Sequence, residues 1–207
     1  KRQHIGYGFS ILSYATNKSG EWQIFVIDSD RVGKYPSIAV DLADKVHISY
    51  YDRDNSAIKY ATNKLGSWQI FTVADSGTLG PNSTGYNSLA LDSNDKVHIA
   101  YHYCGQNDPS GCQANDLKYV TNSSKSGSWQ VFTIDTQGEA GIYPSIAVDG
   151  NGKVHISYLS YYSPSNCLKY ATNQSGAWKI FEIASVPPYD GIGASIALDS
   201  NGKVHIS

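Results

Sequence analysis

A phrase centred on tryptophan recurs four times, and this internal repeat constrains the fold more than any other feature of the chain. The phrase reads WQIFVID at 22–28, WQIFTVA at 68–74, WQVFTID at 129–135 and WKIFEIA at 178–184. Three further phrases recur in step with it, and one set of them begins PSIAVD at 36, KVHISY at 45 and AIKYAT at 57. Because the tryptophans lie 46, 61 and 49 residues apart, the chain of 207 residues contains four copies of a unit of about 50 residues.

Each phrase alternates apolar and polar residues and is rich in β-branched and aromatic side chains, which predicts a strand. We name the strands A (PSIAVD-like), B (KVHISY-like), C (AIKYAT-like) and D (WQIFTV-like). Asp, Asn and Gly lie between A and B. The sequence T-N-x-S-G-x-W, or a close variant of it, links each C strand to D, so both links are predicted to be tight turns. Four antiparallel strands in each repeat are typical of a β-propeller blade. We therefore predict an all-β fold, a β-propeller of four-stranded antiparallel blades.

The repeat also predicts the domain organisation, with residues 1–207 forming a single propeller or an arc of a larger one. The predicted units, of which the first and last are partial, are 1–35, 36–86, 87–143, 144–193 and 194–207. The sequence begins and ends in a B-type phrase, which favours an arc completed by the remainder of a larger propeller or by a second copy. The alternative is a closed ring of four blades.

The turn between the C and D strands has a characteristic spacing, which is A-x-N-x-S-x-x-W at 15–22. The same spacing recurs at 171–178, and at 61–68 with Leu65 in place of the serine. It resembles the Asp-box (BNR) repeat of sialidase-like propellers, roughly S-x-D-x-G-x-x-W. In this chain Asn replaces the Asp in every copy, the Gly is displaced by one residue, and the third copy carries two extra residues. The resemblance implies a sialidase-like propeller fold.

Two enzyme classes are implied by such resemblances. A sialidase needs a cluster of arginines for the carboxylate of its substrate, and this chain has only three arginines, Arg2, Arg31 and Arg53. The B strand, as D-x-x-G-x-x-H-x-x-Y at 149–158, resembles repeats of propeller-type polysaccharide lyases, which pair a His and a Tyr as acid and base. A lyase or glycosidase using His102 or a loop tyrosine, with Arg53 neutralising a uronate, is therefore the alternative to a binding module.

Histidine and tryptophan each occur at one fixed place in every repeat. Catalysis needs one asymmetric set of groups, so a residue present in every blade is better explained by the architecture of the blade. We predict that the histidines bond a partner within each blade, such as the aspartate that ends strand A, and that the tryptophans pack the blades. The alternative for the histidines is a ring of metal ligands or bases. These residues are His47, His98, His155 and His205, and Trp22, Trp68, Trp129 and Trp178.

The chain has three cysteines. Cys104 and Cys112 bracket seven residues in a long polar loop, and we predict that they form a disulfide. Cys167 is a rival partner or a free thiol. A disulfide indicates an extracellular or cell-surface location, or the periplasm.

The B–C and D–A loops vary in length and composition, whereas the A–B and C–D turns are short and uniform. In a propeller the variable loops open on one face, where binding specificity usually resides. Tyrosine offers a flat apolar ring with a polar tip, which suits sugars and protein surfaces. The alternative is that the tyrosines only cover the blade edges. The predicted ligand-binding residues on this face are Tyr51, Arg53, His102, Tyr103, Tyr162 and Tyr189.

Composition excludes several classes of partner. The formal net charge is −2, which argues against a nucleic-acid binder. No apolar run approaches the roughly 18 residues of a membrane helix, so we expect no membrane insertion. The A–B turns lack the glutamate that ends a calcium loop, so we expect no metal. We also expect no cofactor and no catalytic residue.

These features favour a non-catalytic extracellular propeller that binds a glycan or a protein surface, or that serves in adhesion or surface structure.

Overall fold

The structure is a computed structural model that describes part of the chain and contains only β-structure. It describes 10–29, 32–77, 85–105, 107–108, 111–112, 115–124, 126–162, 165–186 and 193–207, without the side chains of 107, 108, 111, 112, 162 and 165. No helix in these ranges is long and apolar enough to cross a membrane.

The strands form three complete sheets, here called blades I, II and III, flanked by two strand pairs. The N-terminal pair consists of β1 Leu12–Thr16 and β2 Gln23–Asp28. Blade I consists of β3 Val32–Val40, β4 Val46–Asp52, β5 Ala57–Thr62 and β6 Gln69–Asp75. Blade II consists of β7 Asn87–Leu91, β8 Val97–Cys104, β11 Asn115–Thr121 and β12 Gln130–Asp135, with an inserted hairpin of β9 Asn107–Asp108 and β10 Gly111–Cys112.

Blade III and a C-terminal pair complete the described chain. Blade III consists of β13 Glu139–Val148, β14 Val154–Tyr162, β15 Ser165–Thr172 and β16 Lys179–Val186, and the last pair is β17 Ile196–Leu198 and β18 Val204–Ile206. Each blade is antiparallel, with its strands adjacent in the order A, B, C, D. The all-β propeller predicted from the repeat is therefore confirmed. The boundaries of the units and the completion of the ring stay predictions.

Side chains of the predicted turns fix the ends of the strands. Asp41 Oδ1, after strand A, accepts hydrogen bonds from the backbone N–H of Ala43 at 2.9 Å and of Lys45 at 2.8 Å. Asn63, in the C–D turn, accepts a bond at 2.8 Å from the N–H of Val46, the first residue of strand B. Equivalent bonds recur in blades II and III. The Asp/Asn/Gly pattern therefore codes for Asx-type turns in a hairpin.

Serines join the A strands of successive blades. Ser37 Oγ accepts a bond from the N–H of Leu89 at 3.0 Å, and Ser88 and Ser145 do the same for Ile146 and Ile196 at 3.3 and 3.2 Å. The A strands are therefore the innermost strands, where small side chains allow the backbones to approach.

In blades I, II and III the tryptophan that precedes strand D reaches back to the preceding sheet. Its indole packs edge-on against the tyrosine of the preceding C strand, with ring centroids 5.4–5.6 Å apart. Three apolar cores lie between successive sheets and include these tryptophans at their margins. The pairs are Tyr14–Trp68, Tyr60–Trp129 and Tyr119–Trp178.

We expect Trp129→Ala to lower the free energy of unfolding by about 2 kcal/mol, because it removes a large ring from the core between blades I and II. Trp22 is the matched control, since it occupies the same place in the repeat but is 73% exposed. Trp22→Ala should change stability by less than about 0.5 kcal/mol. Urea unfolding followed by circular dichroism measures both, and equal losses would contradict packing between blades as the role of the tryptophan.

Candidate functional site

The repeated histidines lie inside the blades. His47 is fully buried, its Nδ1 lies 2.5 Å from Tyr60 Oη, and its Nε2 lies 3.2 Å from Asp41 Oδ2. His98 and His155 have equivalent tyrosine partners at 2.5 and 2.6 Å. His205 has an exposed side chain, and its Nε2 lies 3.8 Å from Asp199 Oδ2. In the described ranges no group of three or more His, Cys, Asp or Glu side chains is arranged to hold a metal. This geometry fits a structural role. The strand-A aspartate is a hydrogen-bond partner for His47, whereas Nε2 of His98 and of His155 lies 3.5 and 3.8 Å from its aspartate and has no hydrogen-bond partner among the described residues.

Burial of these imidazoles affects their protonation. Desolvation lowers the pKa of His47, and the nearby Asp41 carboxylate offsets only part of that effect. Burial likewise lowers the pKa of His98 and of His155. Burial therefore favours the neutral form of these three rings.

The predicted ligand-binding residues differ in their surroundings. Tyr51 is only 1% exposed, and its ring packs against Gly85, where a Cβ would lie 2.1 Å from Tyr51 Cγ. His102 is 3% exposed, and its Nε2 lies 2.5 Å from Asn115 Oδ1. Contact of a ligand with either ring would require the ring to leave the core, and their role in binding stays a prediction.

The other four predicted residues lie nearer the surface or outside the described part. Arg53 is exposed at the start of the turn between β4 and β5. Tyr103 is half-buried and carries the Lys118 ammonium 3.1 Å from its ring centroid. The side chain of Tyr162 and all of Tyr189 lie outside the described residues. Convergence of the six side chains on one site is therefore untested.

A different set of tyrosines converges on the predicted face. The rings of Tyr35 and Tyr86 lie 4.7 Å apart and those of Tyr86 and Tyr143 lie 4.0 Å apart, and Tyr86 Oη donates a hydrogen bond to Tyr143 Oη at 2.8 Å. We call these three residues the tyrosine cluster. Each comes from a different blade: Tyr35 lies within the innermost strand β3, Tyr86 directly precedes β7, and Tyr143 lies within β13. The cluster therefore lies by the axis, on the side of the B–C and D–A loops.

The backbone at the tyrosine cluster is unusual. Tyr35 and Tyr143 have φ values of 51° and 49°, a region that bulky residues rarely occupy and that is enriched at functional sites. These three tyrosines are not among the ligand-binding residues predicted from the sequence. Their signal is a tyrosine directly before the Pro-Ser or Asn-Ser that opens strand A, in GKYPS, TGYNS and GIYPS.

A pocket of about 390 Å³ opens on the same face, where blade III adjoins the loop that follows β12. Ser160, Cys167, Lys169, Glu182 and Ser185 line it together with Gln137 and Gly138. Lys169 is 5% exposed and forms an ion pair at 3.0 Å with the buried Asp135. The pocket is therefore polar, with several donors and acceptors.

The cysteines are only partly described. Cys104 ends β8 and is fully buried, whereas the side chain of Cys112 lies outside the described residues. The Cys104–Cys112 disulfide therefore stays a prediction. Cys167 carries a free thiol.

Neither a family model nor a curated protein sequence matches this chain. Similar solved structures include an ulvan lyase of polysaccharide lyase family PL25, with 11% identity and a TM-score of 0.58 over 85% of this chain and 48% of that one. An α-L-arabinanase from Penicillium chrysogenum has 11% identity and a TM-score of 0.55 over 84% of this chain and 56% of the arabinanase. A sialidase from Streptococcus pneumoniae has 14% identity and a TM-score of 0.57 over 92% and 30%.

The chain thus spans between about a third and somewhat over half of the length of these proteins. At such identities the similarity establishes the fold alone. The chain shares the propeller fold of sialidases, lyases and glycosidases, as the repeat predicted. The Asp-box assignment of its C–D turns stays a prediction.

The lowered histidine pKa values predict that stability falls in mild acid. Below the ordinary histidine pKa of about 6.5 the unfolded chain binds protons that the folded chain excludes, so this stabilisation is present above that pH and lost below it. We expect the melting temperature to fall between about pH 7 and pH 5. His155→Gln should lower the melting temperature at neutral pH and reduce its pH dependence. A pH dependence unchanged by the substitution would contradict this assignment.

The cysteines predict a labelling pattern. With a thiol reagent in denaturant and without reductant, we expect Cys167 alone to react, because the other two cysteines would be joined. Peptide mass mapping identifies the labelled residue, and a reduced sample is the control in which all three react. Labelling of Cys104 or Cys112 without reductant would exclude the disulfide.

Proposed function

We propose that this chain is a non-catalytic propeller module that binds a glycan on the face formed by the B–C and D–A loops. The observation that carries the proposal is the tyrosine cluster, in which three successive blades bring aromatic rings together near the axis. Tyrosine combines an apolar ring face with a polar hydroxyl, which suits the mixed surface of a sugar. Protein binding, adhesion and a purely structural surface role are the broader alternatives.

Two structural neighbours support a saccharide as the ligand. The ulvan lyase was solved bound to -[GlcA(1-4)Rha3S]-, and the arabinanase was solved in complex with arabinobiose. A propeller of this kind is therefore compatible with saccharide binding.

Burial of His102 favours binding over catalysis. The lyase alternative used this imidazole as an acid or base, which requires it to reach the substrate. His102 is 3% exposed and lies against Asn115. The pocket beside Lys169 and Glu182 keeps a glycosidase in consideration, and the assay below includes hydrolysis and elimination as outcomes.

We further propose an extracellular or cell-surface location, with the periplasm as the bacterial equivalent. The support is the predicted disulfide, which persists in oxidising compartments.

An array of neutral and acidic oligosaccharides, followed by calorimetric titration of the best binder, tests the proposal. Tyr86→Ala removes the central ring of the tyrosine cluster, and we expect a loss of about 2 kcal/mol of binding free energy, or about 30-fold in Kd. Tyr86→Phe keeps the ring and should retain most of the affinity. Leu65→Ala is the control, because Leu65 is 76% exposed in a C–D turn on the opposite face.

Three outcomes would overturn the proposal. The array could contain no binder, or Leu65→Ala could abolish binding that survives Tyr86→Ala. Turnover would exclude a non-catalytic role, and it is detected as new reducing ends or as the absorbance of newly formed unsaturated uronate ends.

A further inference from the structure

Each complete blade repeats one pair of polar side chains that faces the preceding sheet. A lysine of strand C lies directly opposite a tyrosine of strand B, so both side chains share one face of the sheet. The pairs are Lys59 and Tyr50 in blade I, Lys118 and Tyr101 in blade II, and Lys169 and Tyr158 in blade III.

In blade I the preceding D strand supplies a carboxylate to this pair. Asp28 Oδ2 accepts a hydrogen bond from Tyr50 Oη at 2.7 Å and lies 3.3 Å from Lys59 Nζ. Asp52 forms a second ion pair with the same ammonium at 2.9 Å. Burial opposes the charge on Lys59, but the bonds to Asp52 and Asp28 outweigh that effect and raise the pKa of the lysine.

Blade III repeats this arrangement with the next carboxylate along the chain. Asp135 Oδ2 accepts a hydrogen bond from Tyr158 Oη at 2.7 Å and forms an ion pair with Lys169 Nζ at 3.0 Å. All three side chains are nine-tenths or more buried. A carboxylate between a tyrosine hydroxyl and a lysine ammonium is thus a repeated feature of the contact between blades.

Blade II has the tyrosine and the lysine without the carboxylate. In the pairing of strands C and D, Asp28 lies opposite Leu12, and Asp135 lies opposite Leu117. In blade I the residue equivalent to these leucines is Ile58, and it lies opposite Ala74. Ala74 therefore occupies the place of the aspartate.

In blade II the Tyr101 hydroxyl and the Lys118 ammonium lack the aspartate that their counterparts in blades I and III have. Tyr101 is 0% exposed, and its hydroxyl has no hydrogen-bond partner among the described residues. A buried hydroxyl without a partner costs free energy that an acceptor would recover. Burial lowers the pKa of Lys118, and the charges of Asp116 and Asp75 offset only part of that effect.

We propose that the cleft formed by Ala74, Tyr101 and Lys118, here called the Ala74 cleft, binds a carboxylate group supplied by a ligand. The ligand carboxylate takes the place that the aspartate side chain has in the other two clefts, accepting bonds from the Tyr101 hydroxyl and the Lys118 ammonium. Lys118 is half-buried, and its ammonium lies 3.1 Å from the ring centroid of Tyr103, which is also half-buried. The inference uses residues outside the tyrosine cluster and does not rest on the proposed function.

The carboxylate could belong to a small free acid or to a uronic acid, and the probes distinguish these sources. Acetate, galacturonate and neutral galactose are each added at millimolar concentration and constant ionic strength, because Asp116 and Asp75 limit the affinity for an anion. Thermal unfolding and calorimetric titration follow binding. We expect galacturonate to raise the melting temperature and galactose to have no effect. A response to acetate alone supports the carboxylate site and identifies a small acid as its ligand.

Ala74→Asp is the decisive variant, because it installs the carboxylate that blades I and III already have. We expect it to raise the melting temperature without ligand and to weaken carboxylate binding by at least about tenfold, the value of one hydrogen bond to a charged group. Retained binding, or equal responses to galactose and galacturonate, would overturn the proposal. So would the absence of any carboxylate response in the unmodified chain.

Tyr101→Phe keeps the test valid if the aspartate does not fit. It removes the hydroxyl without a partner, so we expect unchanged or higher stability and a loss of the carboxylate response. Tyr50→Phe is the matched control, since it breaks the bond to Asp28 and should lower the melting temperature. Equal destabilisation by the two substitutions would mean that Tyr101 already has a partner, and would refute the proposal.

Discussion

Packing of each sheet between two others is the constraint on which the rest of this structure depends. Tyr60 illustrates it, because its ring stacks with His47 inside blade I and meets Trp129 from blade II. One blade has no core of its own, since the apolar clusters lie between successive sheets. The order of the blades along the chain therefore determines which side chains meet, and each contact repeats with the period of the sequence.

Several of the buried polar side chains form units that repeat from blade to blade. The buried histidines lie between a tyrosine hydroxyl and an aspartate, and the lysines of blades I and III have carboxylates from the preceding D strand. Such groups are costly to bury without partners. The histidine units lie within one blade, whereas the units of tyrosine, lysine and aspartate join blades I and III to the preceding sheet. Blade II differs from blades I and III, because Ala74 takes the place of the aspartate. This difference is the basis of the proposed carboxylate site.

The two ends of the blades have different chemistry for a physical reason. The A–B and C–D turns use oxygens of their Asp and Asn side chains to bind backbone N–H groups, which fixes the local geometry of the hairpins. On the opposite face, Tyr35, Tyr86 and Tyr143 lie within or directly before the inner strands. Convergence of Tyr35, Tyr86 and Tyr143 follows from the close approach of the A strands at the axis.

The sequence by itself determined the strands, the turns, the four-stranded blade and the propeller, because these depend on local periodicity and on a repeat visible in one chain. Tertiary structure alone decided that Tyr51 and His102 point into the core, whereas Tyr35 and Tyr143 line the axis. The sequence does not distinguish a loop tyrosine that is buried from one that lines the axis, because the exposure of its side chain depends on how adjacent blades meet. The same holds for Ala74, whose importance appears only when its place is compared with Asp28 and Asp135 across three contacts between sheets.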